Sequence, residues 1–221
     1  MNNMIPYLEQ YALLSLEKRD KLTLLVGEHL NELDPDAGMI RFNSFEFPFQ
    51  VLGTESDNTI TWLWAWADEQ TEISRRLTEA SLALRTWGND KGIPEFNNPS
   101  VDLTKMDGFL CSLIATEVCK ASSFYRDAYE GGALYILLYD KRIDMQPSFD
   151  LTRLSNRFWE LVSRYELNQR NVLRSYLTMK HLSPLEGISR IACTLETGEL
   201  LTAEFDQNDR LEILNGEPLE L

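Results

Sequence analysis

The chain has 221 residues, 43% hydrophobic and 25% charged, which is the composition of a soluble globular protein with one large domain or a domain plus a smaller unit. Its 21 basic and 35 acidic residues give a net charge of −14, which disfavours binding to nucleic-acid phosphates and to anionic membranes. No apolar run approaches the ~18 residues of a membrane span, and the N-terminus lacks a signal-peptide pattern, so we expect a cytoplasmic protein.

The first half of the chain predicts a helix, a meander of strands and further helices. Apolar residues recur at helical spacing from residue 4 to about 30. Alternating aromatic and β-branched residues, with turn residues between them, then indicate an antiparallel meander. A later helix should end at Gly88, a loop should cover 89–103, and a third helix should bury one stripe with Cys111 off it. The predicted ranges are strands at 39–43, 47–54, 59–67 and 133–139, and a helix at about 71–87.

The pattern changes near residues 141–149, which we interpret as a boundary between a domain at 1–145 and an extension at 150–221. The extension predicts helices at about 151–165 and 168–181, followed by a hairpin and a third strand. Residues 150–183 contain six basic and three acidic residues, whereas 184–221 contain nine acidic and two basic ones. We expect the basic helices to pair with this acidic tail, which would leave less of its charge for an external partner.

Three tryptophans at alternate positions form the most distinctive motif of the chain. In a strand, Trp62, Trp64 and Trp66 would share one face, with Leu63 and small alanines on the other. Three exposed rings would stack a sugar or a base, but they would also form an apolar patch prone to aggregation. Buried rings, or two buried rings and one lining a pocket, are therefore the favoured interpretation. Asp68, at the strand end, is either a functional carboxylate or a helix cap.

Residues 122–132 contain the densest set of polar and aromatic side chains, followed by two flexible glycines. These side chains suit a small polar ligand, and they equally suit a helix exit held by a salt bridge. With the tryptophans and Asp68, they complete our candidate ligand-binding set: Tyr125, Arg126, Asp127, Tyr129 and Glu130.

The sequence lacks the motifs of most catalytic and metal sites. There is no phosphate-binding glycine loop, dinucleotide fingerprint, C-x-x-C pair or H-E-x-x-H motif. His29 and His181 are the two histidines, and His181 falls where a helix should end and interact with its dipole. The three cysteines are odd in number and widely spaced, which favours reduced thiols. We therefore assign no catalytic residue, no metal site and no cofactor.

Two segments resemble the signature of an uncharacterised bacterial family. The segments are Q-V-L-G-T at 50–54 and T-W-L-W-A-W-A-D at 61–68, where family members carry Q-V-L-G and T-W-L-W-A-W-A-N. The resemblance continues in G-I-P-E-F at 92–96 and in Y-R-D-A-Y-E-G-G-A-L-Y at 125–135, and covers roughly residues 30–140. Asp68 replaces the usual terminal amide. The resemblance implies a small bacterial cytoplasmic α+β domain and carries over no catalytic residue.

We therefore predict an α+β fold, with an antiparallel sheet of four or five strands packed with helices and a C-terminal helix–helix–hairpin extension. Three functions remain open, in this order. The first is a non-catalytic interaction protein, of the immunity or regulatory type, whose acidic surface meets a basic protein. The second is a small-ligand domain with a pocket between the Trp strand and residues 122–132. The third is an enzyme using carboxylates such as Asp68, Asp127 or Glu130. The sequence does not indicate the oligomeric state.

Overall fold

A computed structural model describes residues 3–28, 30–68 and 74–218, and the chain forms two compact units. Unit 1 consists of Met1–Met4 and Lys18–Gln146, and unit 2 consists of Ile5–Glu17 and Pro147–Leu221. A seven-stranded sheet lies in unit 1 and a four-stranded sheet in unit 2, with antiparallel pairing throughout. The predicted α+β class is confirmed. No helix in the described ranges is long and apolar enough to cross a membrane.

The helices and strands of both units are as follows. The helices are α1 (Ile5–Val26), α2 (Glu79–Lys91), α3 (Gly108–Val118), α4 (Lys141–Asp144), α5 (Leu151–Arg164) and α6 (Gln169–Met179). The strands are β1 (Asn31–Asp34), β2 (Met39–Phe42), β3 (Phe45–Ser56), β4 (Thr61–Trp64), β5 (Ser100–Asp102), β6 (Ser123–Tyr129), β7 (Gly132–Leu138), β8 (Leu185–Glu186), β9 (Arg190–Thr194), β10 (Glu199–Phe205) and β11 (Leu211–Pro218). Short 3-10 turns occupy Ala65–Ala67, Arg75–Leu77 and Pro94–Phe96.

The twelve-residue strand β3 organises the sheet of unit 1. Its first residues pair with β2, its last four with β4, and most of its length with β7, which also pairs with β6. Ser56 is paired with Thr61 on one side and with Gly132 on the other. The β3–β4 turn and the β6–β7 turn therefore lie side by side at one end of the sheet.

Helices cover both faces of this sheet. The C-terminal part of α1 packs Leu22 and Val26 into a buried cluster with Phe42, Phe47 and Ile136 of the strands. On the other face, α3 is buried on every side, from Leu110 to Thr116. The prediction of a single buried stripe is therefore wrong, and Cys111 is fully buried. A helix enclosed by neighbours all round needs no polar face.

The Trp strand is shorter than predicted. Strand β4 ends at Trp64, and Ala65–Ala67 form a 3-10 turn, so Trp66 does not share the strand face of the other two rings. The predicted helix at 71–87 begins later, at Glu79, and part of its predicted range lies outside the described residues.

Helix α2 also ends later than predicted. Gly88 lies inside the helix, where an added Cβ would collide with the Cβ of Phe96, and Gly92 ends the helix with φ of 65°. Gly88 therefore permits close packing, and Gly92 supplies the left-handed residue of the cap. The predicted loop at 89–103 contains a 3-10 turn and the edge strand β5.

Unit 2 contains the two predicted helices, α5 and α6, and a sheet in the order β11-β10-β9-β8. Asp150 and Asn168 cap the two helices by accepting hydrogen bonds from backbone N–H groups. His181 follows the end of α6 with φ of 57°, and Leu182 N donates to Leu177 O across it. The predicted location of His181 at a helix end thus corresponds to a Schellman-type cap. Residues 5–17 group with this unit, which no local pattern indicates.

Candidate functional site

Trp62 and Trp64 lie in the core of unit 1. Both side chains are fully buried, and their rings pack edge to face with centroids 5.4 Å apart. Trp62 also packs against the ring of Tyr135, 5.6 Å away. Neither ring is accessible to a ligand. Both rings contribute to the hydrophobic core around β4.

The segment at 92–96, G-I-P-E-F, packs against Trp64. Its Phe96 ring lies 5.2 Å from the ring of Trp64, and the Trp64 Nε1 donates to Glu95 O at 2.9 Å. Trp66 is half-buried, and the guanidinium of Arg85 stacks on it at 4.1 Å. Asp68 follows, half-buried, at the end of the 3-10 turn. The signature segments at 61–68 and 92–96 are thus in contact with each other.

The polar residues at 122–132 are not a helix exit but strand β6, so their side chains alternate between two faces. On one face, Tyr125 donates to Asn31 Oδ1 at 3.1 Å and Asp127 accepts from Asn31 Nδ2 at 2.8 Å. On the other face, Arg126 Nε donates to the Tyr135 hydroxyl at 3.2 Å. The structure therefore separates Arg126 from Tyr125 and Asp127.

A buried carboxylate, Glu55, lies behind Arg126 and was not singled out in the sequence. Its Oε2 accepts from the Tyr135 hydroxyl at 2.8 Å, and its Oε1 accepts from Gly108 N at 2.6 Å. Burial, and then the Glu55 carboxylate, raise the pKa of Tyr135, so the phenol stays a donor. This network fixes the start of α3 on the sheet. No local sequence pattern indicates this network, because Glu55 has the sequence context of an ordinary polar residue near the end of a strand.

The two adjoining turns at one end of the sheet carry exposed apolar and acidic side chains. Asp57 N donates to Gly131 O at 3.0 Å, which joins the two turns, and Leu103 N donates to Ile60 O at 3.1 Å, which adds the end of β5. Tyr129 is 52% exposed and Ile60 is 50% exposed. We call this region the acidic turn surface, defined by Asp57, Ile60, Asp102, Tyr129 and Glu130.

Ile60 has an unusual backbone conformation for its residue type. Its φ of 53° is in the left-handed region, where a β-branched residue is strained. The other non-glycine residues with positive φ in the described chain are of types that tolerate it better: Asn43, Lys120, His181 and Asp209. Ile60 falls within the strand predicted at 59–67, and no motif in the sequence signals its conformation.

The carboxylates of the acidic turn surface remain available to a partner. Asp57 and Glu130 are exposed and form no ion pair within the described ranges. Hydrogen bonds from the Thr104 side chain and backbone lower the pKa of Asp102, which therefore stays ionised at neutral pH. The surface thus combines two apolar side chains with three negative charges.

Three of the nine acidic residues at 184–221, in contrast, form ion pairs within the described part of unit 2. Glu186 pairs with Arg174 at 2.8 Å, Glu196 with Lys180 at 2.8 Å, and Asp209 with Arg170 at 3.7 Å. The expected pairing of basic helix and acidic tail is thus present for α6. In α5, Arg153 pairs with the N-cap residue Asp150 at 3.8 Å, and Arg157 pairs with Glu160 of the same helix.

A second buried network in unit 2 superficially resembles a serine–lysine catalytic pair. Lys180 Nζ donates to Ser148 Oγ at 2.7 Å and pairs with Glu17 at 2.8 Å, while Tyr176 donates to Glu17 at 2.5 Å. Burial acts to lower the pKa of Lys180, but Glu17 and Glu196 outweigh it and leave that pKa raised. A general base needs a lysine with a lowered pKa, so this network is structural.

Two buried tyrosines and one half-buried tyrosine predict alkaline lability. Burial raises the pKa of Tyr135, Tyr139 and Tyr176 above the usual 10.0, so the folded state holds protons that the unfolded state releases. Stability should be complete below pH 10 and should fall as pH rises above it. In an alkaline titration, the near-ultraviolet absorbance of tyrosinate from these three residues should rise over the same pH range in which far-ultraviolet ellipticity is lost. Ionisation of all tyrosines before any unfolding would contradict this prediction.

The three cysteines are free thiols with raised pKa values. Burial raises the pKa of Cys111, Cys119 and Cys193, which keeps the thiols protonated at neutral pH. Within the described ranges, no cluster of three His, Cys, Asp or Glu residues is arranged to hold a metal ion.

Comparison with known families gives one match. The family model for a family of unknown function, DUF6882, matches residues 5–141. No curated protein and no solved structure matches the chain. The match covers all of α1 and extends to the start of α4. It therefore includes the three tryptophans of the motif at 61–68, the Glu55 network and the acidic turn surface. The chain therefore belongs to the DUF6882 family, a family of unknown function.

Proposed function

We propose that the protein is a cytoplasmic, non-catalytic interaction protein, of the immunity or regulatory type, that binds a basic protein through the acidic turn surface. The observation that carries this proposal is the strained, half-exposed Ile60 among exposed carboxylates. A left-handed conformation costs about 1–2 kcal/mol for an ordinary residue, and strain of this kind tends to cluster at functional sites.

The composition of the surface suits a protein partner. Tyrosine is enriched in interface hot spots. The side chain of Tyr129 is half-exposed, and its hydroxyl donates to Glu55 O at 3.5 Å. The carboxylates of Asp57, Asp102 and Glu130 would speed encounter with a partner rich in Lys and Arg and would make binding salt-dependent. Asp57 and Glu130 are exposed and form no ion pair within the described ranges, which supports this surface as the basis for an acidic interaction.

The two alternative functions have less support. A pocket at the Trp strand would need accessible rings, and Trp62 and Trp64 are fully buried. A carboxylate enzyme would need an acid and a base in one cleft, and Asp127 is held by Asn31 on the face of β6 while Glu130 lies in the exposed turn.

Capture from a lysate of the source organism tests the proposal. The full chain should retain one stoichiometric basic protein at low salt and release it at high salt. Tyr129→Ala and the double change Asp57→Asn with Glu130→Gln should each reduce capture at least tenfold, because they remove the anchor or the charge. Met145→Asn, which alters an exposed hydrophobic residue elsewhere in unit 1, should not. Equal capture by all variants would rule out this surface.

Ile60→Asn should increase stability and weaken partner binding together. Asparagine tolerates positive φ, so the free energy of unfolding should rise by about 1 kcal/mol, while half of the lost side chain was already in water. The same change removes an apolar contact from the acidic turn surface. Urea unfolding and the capture assay measure the two effects. Greater stability with unchanged capture would show that Ile60 is not part of the interface.

A further inference from the structure

A surface groove in unit 1, separate from the acidic turn surface, has the size of a small-molecule site. Its volume is about 610 Å³, within the usual range for ligand pockets. It lies where the start of β3, helix α2 and the end of α3 meet. We call it the β3–α2 groove, and its lining includes Pro48, Gln50, Ala83, Val118, Cys119 and Tyr139.

Two polar side chains of the groove, Gln50 and Cys119, already have hydrogen-bond partners within the protein. Gln50 donates to Arg76 O at 2.7 Å and accepts from Ala80 N at 3.3 Å, so its amide caps the start of α2. Cys119 Sγ donates to Ala80 O at 3.7 Å. The Tyr139 hydroxyl, by comparison, has no hydrogen-bond partner among the described residues. It is therefore an uncharged group of the groove that can donate a hydrogen bond to a ligand.

The interior of the groove is electrically neutral. Burial raises the pKa of the Cys119 thiol to about 12, and burial followed by Cys119 raises the pKa of the Tyr139 phenol, so both stay uncharged at neutral pH. The charged side chains, Glu79 and Lys120, are exposed. They have opposite signs, so neither an anion nor a cation would be favoured at the rim.

We propose that the β3–α2 groove binds an uncharged, mostly hydrophobic organic molecule with one hydrogen-bond acceptor, which accepts from the Tyr139 hydroxyl. The apolar body would lie on Pro48, Ala83 and Val118, the exposed and half-buried apolar residues of the groove, and burial of their surface by the ligand supplies most of the affinity. The acceptor would fix its orientation. This inference is independent of the proposed protein partner, because the groove and the acidic turn surface share no residue.

Benzophenone is a suitable probe, because it is uncharged, hydrophobic, carries one carbonyl acceptor and crosslinks to nearby C–H bonds under near-ultraviolet light. The full chain is irradiated with it, and the labelled peptides are mapped by mass spectrometry. Label should concentrate on peptides that contain residues 48–50, 79–83 and 118–120. Label scattered over the surface, or concentrated elsewhere, would overturn the proposal.

Three variants sharpen this test. Ala83→Trp, at an exposed position on the groove wall, should fill the groove and reduce labelling at least tenfold. Ala128→Trp, at an exposed position on β6, is the matched control and should leave labelling unchanged. Tyr139→Phe should reduce labelling about fivefold, the equivalent of one hydrogen bond of about 1 kcal/mol. Equal labelling of Ala83→Trp and Ala128→Trp would exclude the groove as the site.

Discussion

Gly53→Ala is expected to lower the free energy of unfolding of unit 1 by about 3 kcal/mol or more. An added Cβ at this position would overlap the carbonyl oxygen of Leu63 and lie 2.6 Å from the ring of Trp62. The carbonyl belongs to the backbone of the paired strand, and the ring is fully buried, so neither can move without separating β3 from β4. Urea unfolding followed by tryptophan fluorescence measures the loss.

The control is Gly187→Ala, where the nearest atom to an added Cβ is 3.8 Å away. This change should alter stability by less than about 0.5 kcal/mol, because it creates no overlap. A Gly53→Ala protein as stable as the control would show that β3 and β4 are not packed as described. The expected difference also explains why glycine follows Q-V-L in the signature.

Lys180→Met is expected to destabilise unit 2 by about 3 kcal/mol, because it leaves the Glu17 carboxylate buried without its cation. Glu17 is 1% exposed and faces Lys180 Nζ at 2.8 Å. Urea unfolding, followed by far-ultraviolet circular dichroism, gives the free energy for each variant. A loss below about 0.5 kcal/mol would show that the pair is solvated rather than buried.

A double variant distinguishes the buried charge from the lost side-chain packing. In Glu17→Gln with Lys180→Met, the amide oxygen can still accept from the Tyr176 hydroxyl and from Phe149 N, which both donate to one carboxylate oxygen of Glu17. No charge is then left in the interior, so the double variant should be more stable than Lys180→Met alone. Equal losses would attribute the effect to packing.

Local pattern predicted much of the fold, and long-range packing accounts for most of what it missed. The period of two in the Trp motif correctly indicates that Trp62 and Trp64 share a face. The same pattern cannot show that the strand ends at Trp64. Likewise, Gly88 and Gly92 are alike in sequence, and only the position of Phe96 makes one a packing contact and the other a cap.

The candidate surface was predicted only in part. Tyr129 and Glu130 belong to the polar segment at 122–132, which is predicted from the sequence as a candidate site. That prediction groups them in one site with Arg126. Pairing of β6 with β7, and of β7 with β3, brings these two residues beside Asp57 instead. Such juxtaposition depends on strand register over more than 70 residues of sequence, which a single chain does not reveal.

The division of α1 between the two units has a consequence for synthesis on the ribosome. Leu8, Ala12 and Leu16 are almost completely buried, yet their segment, Ile5–Glu17, groups with Pro147–Leu221. The nascent chain must therefore emerge almost whole before this apolar segment can find its packing partners. Until then, the segment is a natural target for chaperones that bind exposed hydrophobic sequences, and unit 2 can complete its folding only after translation reaches its last strands.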